Sequence, residues 1–277
     1  MSASPSAAEN GSTQLSRRQT VRMVSRHIAE GRPIAVVRFG EGEARLLAAD
    51  PANPTSMKAA IKKLRRQSGL TFSAKEMLKV KALLMNALDE ADVVGLRTSK
   101  SFAEEHRELG ELIASVYAER VAQGRRPGHL AHSLLNSDLC EALPALLAGQ
   151  QQLSVVSCRD IGPILKADHN LTDITAYQVP SQYVVRDVDG PYEAALHDVP
   201  IWPEFYQRLR AELTVRSRGE VFLVGAGLFG KDLCIRIREL GGIALDMGST
   251  LDAIASKVTR GRNRPTFRAP PEIPRLV

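Results

Sequence analysis

Six short apolar runs rich in β-branched residues punctuate the chain: Ile34–Phe39 (IAVVRF), Ala91–Leu96 (ADVVGL), Leu153–Ser157 (LSVVS), Asp173–Val179 (DITAYQV), Glu220–Gly225 (EVFLVG) and Gly242–Asp246 (GIALD). Each has the length of a strand, and most are apolar at consecutive positions, as in strands buried on both faces. Between them the period changes to three and four. Ser16–Glu30 carries Val21, Val24 and Ile28 at helical spacing and stops at Gly31. Ser73–Glu76 and Ser101–Glu104 read as capping boxes, and each precedes an apolar stripe, Met77, Val80, Leu84 and Leu88 in one and Leu109, Leu112 and Val116 in the other. Strands covered on both faces and alternating with helices predict an α/β class, a mostly parallel sheet flanked by helices, in a single domain. The expected limits are a Ser/Ala/Gly-rich disordered tail over 1–14, a domain over 15–258, and an Arg/Pro-rich tail over 259–277.

Composition adds little to this picture. The chain has 277 residues with 37 Lys and Arg against 31 Asp and Glu, a formal net charge of +6 that suits phosphorylated ligands, nucleic acid or anionic lipid without choosing among them. Aromatics make up 5%, too few to suggest stacking platforms for bases, so no nucleic-acid partner is expected. The basic run Lys58–Gln67 reads as a solvated helix face, with peripheral contact with an anionic membrane as the competing use. Cys140, Cys158 and Cys234 are widely spaced and form neither a disulfide framework nor a zinc pattern, so they read as buried thiols. No apolar run is long enough to span a bilayer and the N-terminus lacks a secretory core, which places the expected location in the cytoplasm.

Ligands of open parallel sheets bind beyond the carboxyl ends of the strands. Those ends carry Glu41 and Glu43; Arg97; Arg159 and Asp160; Gln182 and Tyr183; Gly225, Gly227 and Gly230; and Asp246 with Gly248. Glu41 and Glu43 lie between and after Gly40 and Gly42. Folded back on a glycine turn, the two carboxylates would approach one point, which a divalent cation such as Mg²⁺ or Mn²⁺ makes tolerable. The simpler reading is a helix start, where acidic residues complement the dipole. The second informative stretch, Gly225–Gly230, is a GxGxxG between a strand and a helix, with Asp246 ending the next strand as a dinucleotide fold requires. An NAD(P)-dependent oxidoreductase is therefore one reading. Against it, few residues follow Asp246, too few to build the rest of a dinucleotide half. A glycine turn approaching some other phosphate or sugar keeps the same physics.

Taken together, VVRFGEGE near the start and VGAGLFGKDLCIRIRELGGIALDMGS near the end resemble the GT-D glycosyltransferase fold family, which shares an Arg-Phe-Gly-acid-Gly-Glu turn and a late glycine-lysine helix followed by Asp-x-Gly. The resemblance spans about residues 16 to 255, and only these two motifs are specific. It implies a Rossmann-like GT-D type sandwich and a metal-dependent transferase. The donor would be a nucleotide-sugar, such as a UDP-sugar, and the acceptor a glycan or glycoprotein. Glu43 matches the family's glutamate, and Glu41 stands where the family has aspartate; both are the expected ligands of Mn²⁺ (or Mg²⁺). Ser249 follows the Asp-x-Gly where some relatives have histidine. Arg38, Gly40, Gly42, Arg159, Gly225, Gly227, Lys231 and Asp246 are the expected donor contacts, with Arg38 and Arg159 alternatively paired to acids. Asp160 is the candidate general base. His129, His132 and Asp138 form a second polar cluster, read as a loop. A non-catalytic basic binding module is the third reading, with Lys58–Arg66 and the Arg-rich tail docking on an anionic surface.

Overall fold

The computed structural model of the chain describes residues 14–68, 72–96, 104–125, 128–132, 135–181 and 199–255. Seven parallel strands form one sheet in the order β3-β2-β1-β7-β6-β4-β5. They are β1 (Ile34–Arg38), β2 (Val93–Leu96), β3 (His129–His132), β4 (Gln152–Ser157), β5 (Asp173–Gln178), β6 (Val221–Gly225) and β7 (Ile243–Asp246). Six lie where the apolar runs predict them. The seventh, β3, corrects the loop expected around His129 and His132: it pairs along β2 at the sheet edge, with Leu15 bridging to Ala131 on its other side. The predicted Ser101–Glu104 capping box and the rim positions Arg97, Gln182 and Tyr183 fall outside the described residues, as do the two tails.

The strand sequences explain why both faces are covered. Alternate residues of each central strand enter opposite cores: Ala35 and Val37 of β1, with Phe222 and Val224 of β6, enter one, while Ile34 and Val36, with Val221 and Leu223, enter the other. The first core is closed by α2 (Glu41–Ala48), α3 (Pro54–Ser68), α4 (Ala74–Glu90), α5 (Glu104–Ala122), α8 (Tyr206–Glu212) and α9 (Gly230–Glu239). The second is closed by α1 (Arg17–Ala29), α6 (Leu135–Leu146), α7 (Gly162–His169) and α10 (Thr250–Ile254). Ser16 and Ser73 cap α1 and α4, each with a reciprocal bond from the third helical residue, Gln19 or Glu76. Met57, Ala60 and Leu64 of α3 are buried while Lys58, Lys62 and Arg65 face solvent, so the described part of the basic run is a solvated helix face. No helix among the described residues is long and apolar enough to cross a membrane.

Chain direction sets where a ligand can enter. The helices that follow β1 and β6, α2 and α9, lie on one face; those that follow the neighbouring β7 and β4, α10 and α7, lie on the other. Adjacent strands whose connections leave in opposite directions open a crevice at their carboxyl ends. Here that happens at β1/β7, β7/β6 and β6/β4 in succession, so the middle of the rim is open.

Candidate functional site

The two glycine turns identified in the sequence meet at this opening. Gly40 precedes α2 in extended conformation, and Glu43, at the third helical position, accepts the Gly40 N–H on Oε2 at 3.1 Å. A side chain at position 40 would collide with that carboxylate, because a Cβ there would stand 2.9 Å from Oε2. The same Cβ would be 3.7 Å from an Arg38 guanidinium nitrogen, so the arginine lies beside the turn. Glu43 thus does what the simpler reading expects of a helix start, with one oxygen. Its other oxygen does something else.

Glu43 Oε1 is 3.0 Å from Lys231 Nζ, and the same ammonium is 3.2 Å from Asp246 Oδ2 and donates to the Gly227 carbonyl at 2.9 Å. Three donors meet three acceptors, which saturates the ammonium. Lys231 and Asp246 are buried, and Glu43 is 15% exposed through its side chain. One lysine therefore ties together the turn after β1, the glycine turn after β6 and the end of β7. Asp246 Oδ2 also accepts the backbone N–H of Arg38 at 3.1 Å, extending the β1/β7 ladder by a side chain. Its Oδ1 lies toward Gly230 and Gly248, where a Cβ at either position would stand 3.9 Å away.

Within the GxGxxG, Gly227 has φ +53°, a left-handed conformation that favours glycine. Gly225 lets the Gly248 turn approach, since a Cβ on it would be 2.7 Å from Leu251 Cδ1 and 3.2 Å from the Gly248 carbonyl. Asn136 of α6 donates to the Met247 carbonyl at 3.3 Å, fixing that turn from below the second face. Phe229 stacks on Trp202 with ring centroids 5.3 Å apart, and Tyr206 and Arg210 bind the buried Asp232, so α8 clamps the start of α9. These aromatic and acidic partners carry no motif, and the sequence reading did not single them out.

Burial alone would raise the Glu43 pKa, but the Lys231 charge and hydrogen bond outweigh it and hold Glu43 down to about 2, from an ordinary 4.5. Lys231 is raised, its burial being outweighed by Asp246 and Glu43. A depressed carboxylate contributes stability that is complete above its unfolded pKa and lost as pH falls through its folded one. Unfolding by urea should therefore show a loss of about 3 kcal/mol attributable to Glu43 as pH falls from 4.5 towards 2. The Glu43→Gln protein should lack that component of the pH dependence.

Other expected residues are placed differently. Arg159 is buried, with its Nε 3.3 Å from Asp252 Oδ1 on α10 and its backbone N–H on Ser157 Oγ at 3.0 Å, so of its two expected roles it takes acid pairing. Asp160 is exposed beyond β4 on the same rim, and its carboxylate has no hydrogen-bond or ion-pair partner among the described residues. Asp138 pairs with Arg17 at 3.6 Å, which joins α6 to α1 rather than to the rim. Gly42 is buried in the first turn of α2. Glu41 opens α2, and its side chain lies outside the described residues.

The Mn²⁺ implied by the resemblance was tested on this donor set. Glu43 has one oxygen on an ammonium and the other on a backbone N–H, and no group of three or more His, Cys, Asp or Glu able to hold a metal ion occurs among the described residues. Of the two expected ligands of the divalent ion, Glu43 has both oxygens engaged, and the side chain of Glu41 lies outside the described residues.

A family model described as a GT-D fold-like domain matches residues 15–161, more than half of the chain. The chain belongs to the GT-D fold-like family. Its matched part contains the Gly40–Glu43 turn, and the Gly225–Asp246 motif lies beyond it, joined to the turn through Lys231. Two solved structures share the fold of this chain. One, a selenomethionine-substituted domain of unknown function 1792, is 15% identical with a TM-score of 0.53, the alignment covering 88% of this chain and 82% of that one. The other, described as a new glycosyltransferase of the same domain type from Streptococcus sanguinis, is 14% identical with a TM-score of 0.53, covering 88% of this chain and 85% of that one. No curated protein matches the chain.

Proposed function

We propose that this GT-D fold-like protein is a glycosyltransferase that takes a sugar from a nucleotide-sugar, a UDP-sugar in the simplest case, and passes it to a glycan or glycoprotein acceptor. The observation that carries the reading is the meeting of the two family motifs in one crevice, through the Glu43–Lys231–Asp246 contacts at the open middle of the rim. Glycine turns that begin helices present unsatisfied backbone N–H groups, which suit a diphosphate. The Gly40–Gly42 turn opens α2 and the Gly225–Gly230 turn opens α9, on neighbouring sides of β7.

In this reading the donor diphosphate lies across the two turns. Arg38, beside Gly40, and the amino end of α2 stabilise the charge that develops on the nucleoside diphosphate as the glycosidic bond breaks. Asp160, exposed and unpartnered among the described residues, takes the proton from the acceptor hydroxyl as its oxygen attacks the anomeric carbon. Arg159 and Asp252 hold the loop that carries Asp160. The dinucleotide reading is disfavoured by Asp246, whose Oδ2 is already shared between Lys231 and the Arg38 N–H where a ribose acid would be free for hydroxyls.

Thermal unfolding against UDP, GDP, TDP, the corresponding nucleotide-sugars and NAD(P)(H) tests the assignment, since a ligand that binds the native state raises the melting temperature. One nucleoside diphosphate class and its sugars should stabilise the protein by about 3 kcal/mol at a hundredfold excess over Kd. Stabilisation by NAD(P)(H) alone would overturn the reading in favour of an oxidoreductase.

A further inference from the structure

We propose that the outer surface of α3 and α4 is a docking face for anionic lipid headgroups, which seats the protein against a membrane surface. The face stands apart from the chemistry of the crevice. Of the 37 Lys and Arg, eight fall between Pro54 and Ala82, against one of the 31 Asp and Glu. That stretch carries +7 and the rest of the chain −1, so the net charge of +6 belongs to one pair of helices. Charge gathered in this way orients a protein on a surface of opposite sign.

The described side chains turn this charge outward. On α3, Met57, Ala60 and Leu64 are buried, whereas Lys58, Lys62 and Arg65, at intervals of four and three, form one stripe in solvent. On α4, Met77, Val80, Leu84 and Leu88 are buried, and Lys75, Leu78, Lys79 and Ala82 are exposed on the opposite side. The acid in this stretch, Glu76, is bound to Ser73. None of the five exposed basic side chains makes a hydrogen bond or an ion pair among the described residues. Leu78 is 45% exposed, more than any other large apolar side chain among the described residues. A leucine set between lysines fits a bilayer interface, where it enters the acyl boundary while the ammonium groups stay with the phosphates. It offers nothing to a nucleic-acid backbone, and neither stripe carries an aromatic ring on which a base could stack. The face also borders the crevice. α4 runs for 17 residues, about 25 Å, down to the start of β2, so its amino end lies at the rim, and α2 and α9, which open the two glycine turns, pack against it. A docked molecule therefore holds the crevice beside the headgroups.

Co-sedimentation of the full-length protein with vesicles of pure phosphatidylcholine, and of phosphatidylcholine mixed with phosphatidylglycerol, tests the proposal. Binding should need the anionic lipid and weaken as salt is raised. Lys75→Gln/Lys79→Gln should weaken it about 25-fold, or about fivefold for each charge removed near the surface. Leu78→Gln should weaken it at least about threefold through lost apolar burial. Arg218→Gln, which removes an exposed charge just before β6 at the opposite end of the strands, should leave it unchanged. All four positions are exposed, so the variants should keep the wild-type melting temperature. Failure to bind anionic vesicles would overturn the proposal, as would a loss in Arg218→Gln equal to that in Lys79→Gln alone. Tighter binding to duplex DNA than to anionic vesicles, with Leu78→Gln affecting neither, would overturn it in favour of a nucleic-acid face. Vesicle binding by a protein that responds to no nucleotide would remove the glycosyltransferase reading and leave the docking face in place.

Discussion

Lys231→Met should lower the stability of the protein by about 3–5 kcal/mol, the usual cost of removing one partner from a buried ion pair. Methionine fills much of the same volume, so the loss is electrostatic rather than a cavity. It leaves the Glu43 and Asp246 carboxylates facing each other without their common counter-charge, and it removes the donor from the Gly227 carbonyl. Glu43 would then take up a proton more readily, since burial and a like neighbour disfavour its anion. The deficit relative to wild type should therefore shrink as pH falls, because the variant relieves its unpaired charges by protonation and wild type loses its ion pairs. Urea unfolding at pH 7 and pH 4 measures both the size and the sign. A deficit under about 1 kcal/mol at pH 7 would mean that the ammonium is not held between the two acids.

Glu43→Gln should reduce sugar transfer on the order of 100-fold while leaving the protein folded, the scale expected when reacting groups are misplaced by about an ångström. The amide can still accept the Gly40 N–H through its oxygen, so the start of α2 is kept. What is lost is the ion pair between Glu43 and Lys231, and with it the tie between the Gly40–Gly42 turn and the glycine turn after β6. The effect should fall on kcat more than on the binding of the free nucleoside diphosphate, because each turn still holds its own part of the ligand. Steady-state transfer assays beside UDP titrations separate the two. A variant with unchanged kcat would leave Glu43 with only its helix-capping role.

The strands, the parallel sheet and the placing of two glycine turns at one rim were legible because each rests on local pattern. Val36, Val37, Leu223 and Leu245 advertise strands buried on both faces, and Gly40, Gly42, Gly225 and Gly227 advertise turns. Strand β3 was not legible. Its four residues contain two histidines and lie at an edge, where one short HLAH carries neither the apolar run of a central strand nor a clear alternation. The order of the strands was also hidden, since β7, last in the sequence, enters between β1 and β6.

The site was legible as a set of residues and not as a set of partners. Lys231 near the start of an amphipathic helix reads as a surface residue meeting a phosphate, and only the insertion of β7 beside β1 brings Glu43 and Asp246 to it. Arg159 likewise looked available until β4 and the turn after β7 set it against Asp252. Trp202, Tyr206 and Phe229 come from segments that no motif connects, yet their ring contacts brace the amino end of α9. Long-range charge pairing depends on topology, which a one-dimensional pattern does not contain.

The most direct test of the central claim is hydrogen exchange across the chain, measured with and without a saturating nucleoside diphosphate. The account predicts added protection in two separate peptides, one over Phe39–Ala44 and one over Gly225–Asp232. Protection confined to the basic helix α3, or limited to the second glycine turn and appearing only with NAD(P)(H), would contradict it.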